Sequence, residues 1–200
     1  MRSVSAIRDR IAAHVVDAAH TTTESLSEGP IPGRAAVAIV LRDVDEGPQV
    51  LLIRRAERIE DPWSGHMAFP GGRQDPGDES LLATAVRETR EELSLDLGTS
   101  GRLIGRLSDL PAVARGRRVG ITITPFVFEL TGDIDLAYQA DEVAEAMWVP
   151  LDPLMHGHLR TTFAHERDGQ LTESPAHDVD GRIVWGLTYR MLENLFALLR

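Results

Sequence analysis

Cysteine is missing altogether, which rules out disulfide staples, thiolate nucleophiles and cysteine-ligated zinc. No apolar run comes near the ~18 residues that a membrane-crossing helix needs. The N-terminal stretch MRSVSAIRDRIAAHVV breaks its apolar positions with Arg8, Asp9, Arg10 and His14, so it does not read as a secretory signal either. The expected address is cytoplasmic. Positive charge is scarce: 21 basic residues face 31 acidic ones, a formal net charge of -10, which opposes the phosphate grip of a nucleic-acid binder. The expected partner is therefore a small molecule, with neither nucleic acid nor membrane involved, and an anionic one would have to be met by metal ions and locally gathered arginines. Repeats, low-complexity tracts and a domain-splitting linker are also lacking. The 200 residues, 42% hydrophobic and 26% charged, read as one ordinary globular domain.

What the chain does have is concentrated between Phe69 and Leu95, FPGGRQDPGDESLLATAVRETREELSL. Gly71, Gly72 and Gly77 with Pro70 and Pro76 mark a turn, and Asp75, Asp78 and Ser80 offer N-capping oxygens. A helix is predicted from about Asp78 to Ser80 through Leu93, with Leu82, Ala85, Val86, Thr89 and Leu93 as its buried stripe. Glu88, Glu91 and Glu92 then stand at i, i+3 and i+4, so three carboxylates share one helix face. An isolated run of this kind is most often a solvated face. Like charges at that spacing repel, however, and a hard divalent cation with oxygen ligands is the natural compensator. Arg87 can brace one of the carboxylates.

The combination G-x6-E-x7-R-E-U-x-E-E, read from Gly72 through Glu79, Arg87, Glu88, Glu91 and Glu92, closely resembles the box of the Nudix hydrolases. Its six-residue spacer, one longer than the family pattern, resembles the coenzyme A pyrophosphatase branch, as do MAFPGG from Met67 to Gly72 and IVWGLTYRML near the C-terminus. The run EVAEAMWVPL resembles the family's strand with E-V-x-E-x-x-W-V-P-L. The resemblance implies an α/β fold, a Nudix-type α/β/α sandwich with a mixed β-sheet, the box helix on one side and the C-terminal helix on the other. It implies Mg²⁺ or Mn²⁺ held by Glu88, Glu91 and Glu92 with a Gly71 or Gly72 carbonyl, Gly72 being the residue assigned. Arg87 would orient those ligands and Glu79 would help shape the loop, while Glu142 or Glu145 could add a carboxylate from outside the box.

Around the box, Ser3 to Ala19 has Ile7, Ile11, Ala12, Val15, Val16 and Ala19 at helical spacing. This predicts an amphipathic helix that packs on the domain or on a second copy of the chain, a homodimer being one reading. A polar connector follows to Arg34, so residues 1–34 form an N-terminal helix and connector and residues 35–200 the Nudix domain. Ala35–Leu41 and Gln49–Arg54 read as strands, as do Arg102–Leu107 and Gly120–Leu130, the last with Pro125 implying an edge or a bulge. Asp109–Arg118 is expected to be a loop, residues 161–180 a surface hairpin or loop, and Arg182–Arg200 a strand start followed by a helix. Arg55, Arg115, Arg117 and Arg118 are candidate phosphate donors. Trp63 is either a base-stacking or a packing residue, and His66 a ligand, a proton shuttle or a structural histidine.

Three readings follow. The first is a pyrophosphohydrolase of coenzyme A or its acyl derivatives; the second is a Nudix hydrolase of another nucleoside diphosphate derivative, such as ADP-ribose, NADH, a dinucleotide or a nucleoside triphosphate. The third is a non-catalytic ligand sensor, against which the intact cluster of glutamates argues. The segment ERIEDPWSGH, where Ile59-Glu60 and His66 depart from the coenzyme A pattern, keeps the second reading open.

Overall fold

The structure, a computed structural model, describes residues 3–14, 33–59, 61, 63–114, 117–132, 134–167 and 170–200. In chain order the elements are α1 (Val4–His14), β1 (Arg34–Val44), β2 (Gly47–Arg55), β3 (Met67–Ala68), β4 (Gly71–Arg73) and α2 (Leu81–Leu93). Then come a short α3 (Leu97–Ser100), β5 (Gly101–Arg106), β6 (Leu110–Ala114), β7 (Arg117–Leu130), β8 (Val143–Pro150) and α4 (Leu151–Met155). The chain closes with β9 (Arg160–Arg167), β10 (Gln170–Val179), β11 (Arg182–Trp185) and α5 (Gly186–Leu199).

β1 is the axis of the molecule. Its apolar run AAVAIVL is buried on both faces, as a strand covered on either side should be. Val37, Ile39 and Leu41 join α1 and α5 in one core, while Ala36, Ala38 and Val40 join α2 in the other. The two layers expected around a mixed sheet are therefore present: β7 runs parallel to β1, and β2, β4 and β8 are antiparallel to their neighbours. The α2 side of β1 carries small residues, and α2 answers with Thr84, Ala85 and Thr89 in its buried face. Small-on-small contact lets helix and sheet approach closely, which matters for the site below.

β1 and β2 pair from Leu41↔Val50 to Val44↔Gly47 and then part. Residues 67–73 fill the opening as a wedge: β3 pairs with β2 at Ile53↔Ala68, and β4 pairs with β1 at Ala36↔Gly72. At the crossing between them the Ala38 N–H donates to the Pro70 carbonyl at 2.8 Å.

Several expectations are corrected. Residues 110–114 and 117–118 form no loop but the arms of a β6–β7 pair, with Ala114 opposite Arg117. Pro125 lies in an interior strand, not at an edge: its carbonyl accepts from Leu107 N–H at 2.9 Å, at the point where the neighbour of β7 passes from β6 to β5, so its missing N–H falls in that gap. On α2 the buried residues include Leu81, Thr84 and Glu92, while Leu82 and Val86 are half-buried, a rotation of the stripe that turns Glu92 inward. Helix α1 packs within the chain through Val4, Ile7 and Ile11, and the Val4 N–H donates to the Asp43 carboxylate at 2.9 Å. Ala12 is exposed, and Val15, Val16, Ala19 and the connector after them lie outside the described residues until Gly33.

Candidate active site

The wedge brings the glycine turn against α2. Ser80 caps the helix, its hydroxyl accepting from the Ala83 N–H at 3.1 Å, and the loop just before the cap places Asp78 against Arg87. The guanidinium donates to both Asp78 oxygens at 2.9 Å, to Glu88 at 3.0 Å, to Glu91 at 2.9 Å and to the Arg73 carbonyl at 3.1 Å. Asp78, not Glu79, is therefore the residue that shapes the loop with Arg87; Glu79 is exposed. The short aspartate reaches from two residues before the cap, and the Arg87 bonds hold its carboxyl down at about 2.

That shift sets a pH dependence. Asp78 is depressed from 3.8, so its contribution is present above about pH 4 and lost as pH falls through about 2. Asp78→Asn is expected to cost about 1–2 kcal/mol at neutral pH, the Asp78 side chain being only 6% exposed. Urea denaturation at pH 7, 4 and 3 checks this: the gap between variant and wild type should narrow on acidification, and a gap independent of pH would refute the pairing.

The three box glutamates do not behave alike. Glu92 is 4% exposed and accepts the Gly71 N–H at 2.9 Å. Burial pushes its carboxyl up to about 8, against the Gly71 bond and the nearby Arg55 charge. Glu88 sits one turn earlier on the same face; burial raises it too, against the pull of Arg87. Glu91 is turned to the rim, with its side chain half exposed and tied to Arg87. Among the described residues no three acidic or histidine side chains converge as a ready-made metal cage. The single helix face expected for all three glutamates is thus divided among a buried Glu92, a half-buried Glu88 and a rim Glu91. Their donor set is all oxygen, and burial raises Glu88 and Glu92 above their ordinary values despite Arg87 and Arg55, a penalty that a hard divalent cation would offset.

Gly71 and Gly72 both border the carboxylates. Gly72 is paired with Ala36 in the β4–β1 ladder and its Cα lies against the Glu88 carboxyl, while the Gly71 N–H meets Glu92 and the Arg73 carbonyl meets Arg87.

These groups open into a cavity of about 950 Å³. Gly71, Arg73, Glu88, Glu92 and Glu142 line it together with an apolar group that includes Ala112, Ile121, Leu187 and Met191. Trp63, His66, His165 and Trp185 add rings. Arg55 faces the cavity with its fork bound to Asp61 at 2.7 and 2.9 Å. Asp61 also accepts the Trp63 N–H at 2.9 Å; burial pushes its carboxyl up, but these bonds outweigh it and hold it below its ordinary value. The Trp63 ring packs on Ala35, Ala112 and Ile121, which favours its packing role. Burial keeps His66 below its ordinary value. Glu142 borders the cavity, whereas Glu145 is bound by Arg182 and sits beside Arg54. Arg115 lies outside the described residues, and for Arg117 and Arg118 only the backbone, at the start of β7, is described.

The NUDIX domain profile matches residues 32–172, well over half of the chain. The chain belongs to the Nudix family. An uncharacterized Nudix hydrolase of Yersinia pestis is 32% identical over 167 residues, covering 81% of this chain and 77% of that protein. An uncharacterized protein of Schizosaccharomyces pombe is 34% identical over 142 residues, 62% of this chain and 43% of that protein, so the chain spans less than half of that relative. Among solved structures, a Nudix hydrolase from Alicyclobacillus acidocaldarius superposes with a TM-score of 0.53 at 19% identity, covering 84% of this chain and 92% of that one. A C. elegans Ap4A hydrolase in a binary complex gives 0.51 at 21% identity, with coverages of 62% and 84%. These likenesses are of fold, the mixed sheet with its helices. The chain is a Nudix hydrolase acting on phosphoanhydride bonds, in a family that takes small nucleotide substrates and uses divalent cations. Among the described residues no helix is long and apolar enough to cross a membrane.

Sequence reasoning named Asp78 only as a capping candidate and gave no site role to Arg73, His165 or Trp185. Asp78 could have been found as a second acid at the helix cap beside the expected Glu79. His165 and Trp185 could not, because only the tertiary fold brings β9 and β11 to the wedge.

Proposed function

We propose a Mg²⁺- or Mn²⁺-dependent pyrophosphohydrolase of coenzyme A or its acyl derivatives, releasing adenosine 3',5'-bisphosphate and a 4'-phosphopantetheine product. The observation that carries the reading is a bond between two distant segments. MAFPGG and IVWGLTYRML, which resemble the coenzyme A branch, are joined where Thr188 Oγ1 donates to the Met67 carbonyl at 2.9 Å, and both line the same cavity. The cavity, about 950 Å³, lies at the upper end of small-molecule sites and combines an apolar lining with charged groups. That mixture suits a ligand with a phosphorylated and an aliphatic part.

Glu88, Glu92 and the carbonyl of Gly72 or Gly71 would hold the cation, with Glu91 joining from the rim. When bound, the cation supplies charge neutralisation of the diphosphate and a more acidic water. The chain's own residues do the rest: Arg87 fixes Glu88 and Glu91, the Gly71 N–H fixes Glu92, and Glu142 is the nearby carboxylate able to take a proton from water. A cytoplasmic address belongs to the same proposal.

The chain has no lysine, so every side-chain ammonium contact is replaced by an arginine fork. Arg73 is exposed, borders the cavity and makes no side-chain hydrogen bond among the described residues, which makes it the available grip for the diphosphate. Arg73→Ala should lower kcat/KM about tenfold, and equally for coenzyme A and dephospho-coenzyme A, because both carry the diphosphate. Steady-state kinetics on the two substrates decide it; a loss confined to coenzyme A would move Arg73 to the 3'-phosphate. The wider test compares coenzyme A with ADP-ribose, NADH and nucleoside triphosphates in Mg²⁺ and in Mn²⁺. A higher kcat/KM for any of the others would replace the coenzyme A reading.

A further inference from the structure

We infer that Trp185, flanked by His66 and His165, is the seat of a nucleobase, a specificity site for the substrate's nucleoside half. The inference rests on the substrate being a nucleoside diphosphate derivative and does not depend on its being coenzyme A. Of the chain's three tryptophans, Trp148 packs into the α2 core under the Arg42 guanidinium, and Trp63 packs on the small cluster around Ala112. Trp185 belongs to none of the hydrophobic clusters. Its indole instead borders two cavities, the main one and a neighbour of about 530 Å³. The surface of an indole kept out of the hydrophobic clusters and bordering two cavities is placed to meet a ligand that enters them.

That surface is assembled and fixed. Ring centroids lie 4.6 Å from His165, 4.8 Å from Phe163 and 5.2 Å from His66, so side chains from three separate parts of the chain form one aromatic face. His165 is oriented by a 2.8 Å hydrogen bond with the Ser174 hydroxyl. Trp185 itself is held by ladder pairing with Ala176 and, three residues on, by the Thr188 bond to the wedge. Because His66 directly precedes β3, the aromatic face and the Gly71–Glu92 contact stand at the two ends of one short stretch, residues 66–72. A ligand reaching both would lay its flat ring on Trp185 and its diphosphate at the carboxylates. A planar heteroaromatic ring fits this wall better than an aliphatic chain. Stacking adds to area burial, and Ser174 and Glu166 border the same cavity with groups able to meet the edge of a base.

The test uses ligands with no anhydride to cleave. Adenosine monophosphate and ribose 5-phosphate share the sugar phosphate and differ in the base, and each is titrated calorimetrically into the full chain with Mg²⁺ present. Adenosine monophosphate should bind at least about tenfold tighter and quench tryptophan fluorescence. Trp185→Leu, which keeps apolar bulk without the π face, should bring both ligands to one affinity and abolish the quenching, while Trp185→Phe should retain part of the difference. His165→Ala, away from the strand end, should weaken only the base-bearing ligand. Equal wild-type affinities, or unchanged adenosine monophosphate binding by Trp185→Leu, would overturn the inference. Hydrolysis of coenzyme A with a KM untouched by Trp185→Leu would overturn it while leaving the proposed activity standing. Base-dependent binding in a chain that ignores coenzyme A would uphold it and remove only that substrate.

Discussion

Glu92→Gln is expected to abolish turnover and, at the same time, to stabilise the metal-free protein. The catalytic half follows from the position of Glu92 as the buried carboxylate beside Gly71. Losing a ligand charge there should cost roughly a thousandfold or more in kcat, about 4 kcal/mol of transition-state stabilisation. The stability half follows from its raised carboxyl, at about 8 instead of 4.5. A group whose folded value lies above its unfolded value contributes most below the unfolded value, near pH 4.5, and that contribution drains away as pH rises to about 8. At pH 8 about half of the wild-type molecules therefore carry an ionised, 4% exposed carboxylate held by the Gly71 N–H, and the amide carries none of that charge. The variant should gain about 2–4 kcal/mol at pH 8 in EDTA and almost nothing at pH 4.5. Urea denaturation at the two pH values in EDTA measures the gap, and saturating Mg²⁺ should close it, because a bound cation compensates the charge only in the wild type. A variant that keeps near-normal turnover would remove the metal assignment. One that is equally destabilised at both pH values would remove the buried-charge argument.

The sequence carried the layers better than the site. β1, β2, β7, α2 and α5 were legible because their apolar runs or helical spacings are local signals, and each lies within a few residues of its expected limits. Pro125 misled because a proline's missing donor is tolerated wherever the neighbouring strand changes, a condition set by β5 and β6 rather than by β7. The identity of Glu88, Glu91 and Glu92 was legible, but not their division of labour. Helical spacing places all three on one side, and only the close docking of α2 on Ala36 and Ala38 decides that Glu92 is buried and Glu91 left at the rim. The brace on Arg87 illustrates the same limit: Asp78 and Glu79 are adjacent, and the cap geometry at Ser80 selects the aspartate. Trp185 and His165 were invisible because their proximity to His66 is wholly tertiary.

Gly71→Ala should unfold the wedge, whereas Gly72→Ala should leave it folded and inactive. Gly71 has φ +144, a conformation that L side chains rarely adopt. A Cβ there would run into the Ala36 carbonyl oxygen and come within 2.6 Å of Val37 Cα and 2.9 Å of Val37 Cγ1. β1 cannot withdraw, since it is laddered to β7 along its other edge from Arg34 to Leu41. β4 must lift instead, which breaks the Gly71–Glu92 bond and leaves a buried carboxylate without its donor. The strain and the lost bond together should cost about 3 kcal/mol or more, a fall of roughly 6–12 °C in Tm for a chain of this size. At Gly72 the added Cβ meets the Glu88 carboxyl, the far end of a flexible side chain that can swing aside. Stability should then change by less than about 1 kcal/mol while kcat falls, because Glu88 is displaced from the cavity. Calorimetric melting and turnover measured on the same two variants separate the cases. Equal Tm values for both, or a Gly71→Ala protein that melts like wild type, would mean that the glycine turn does not hold the box helix against β1.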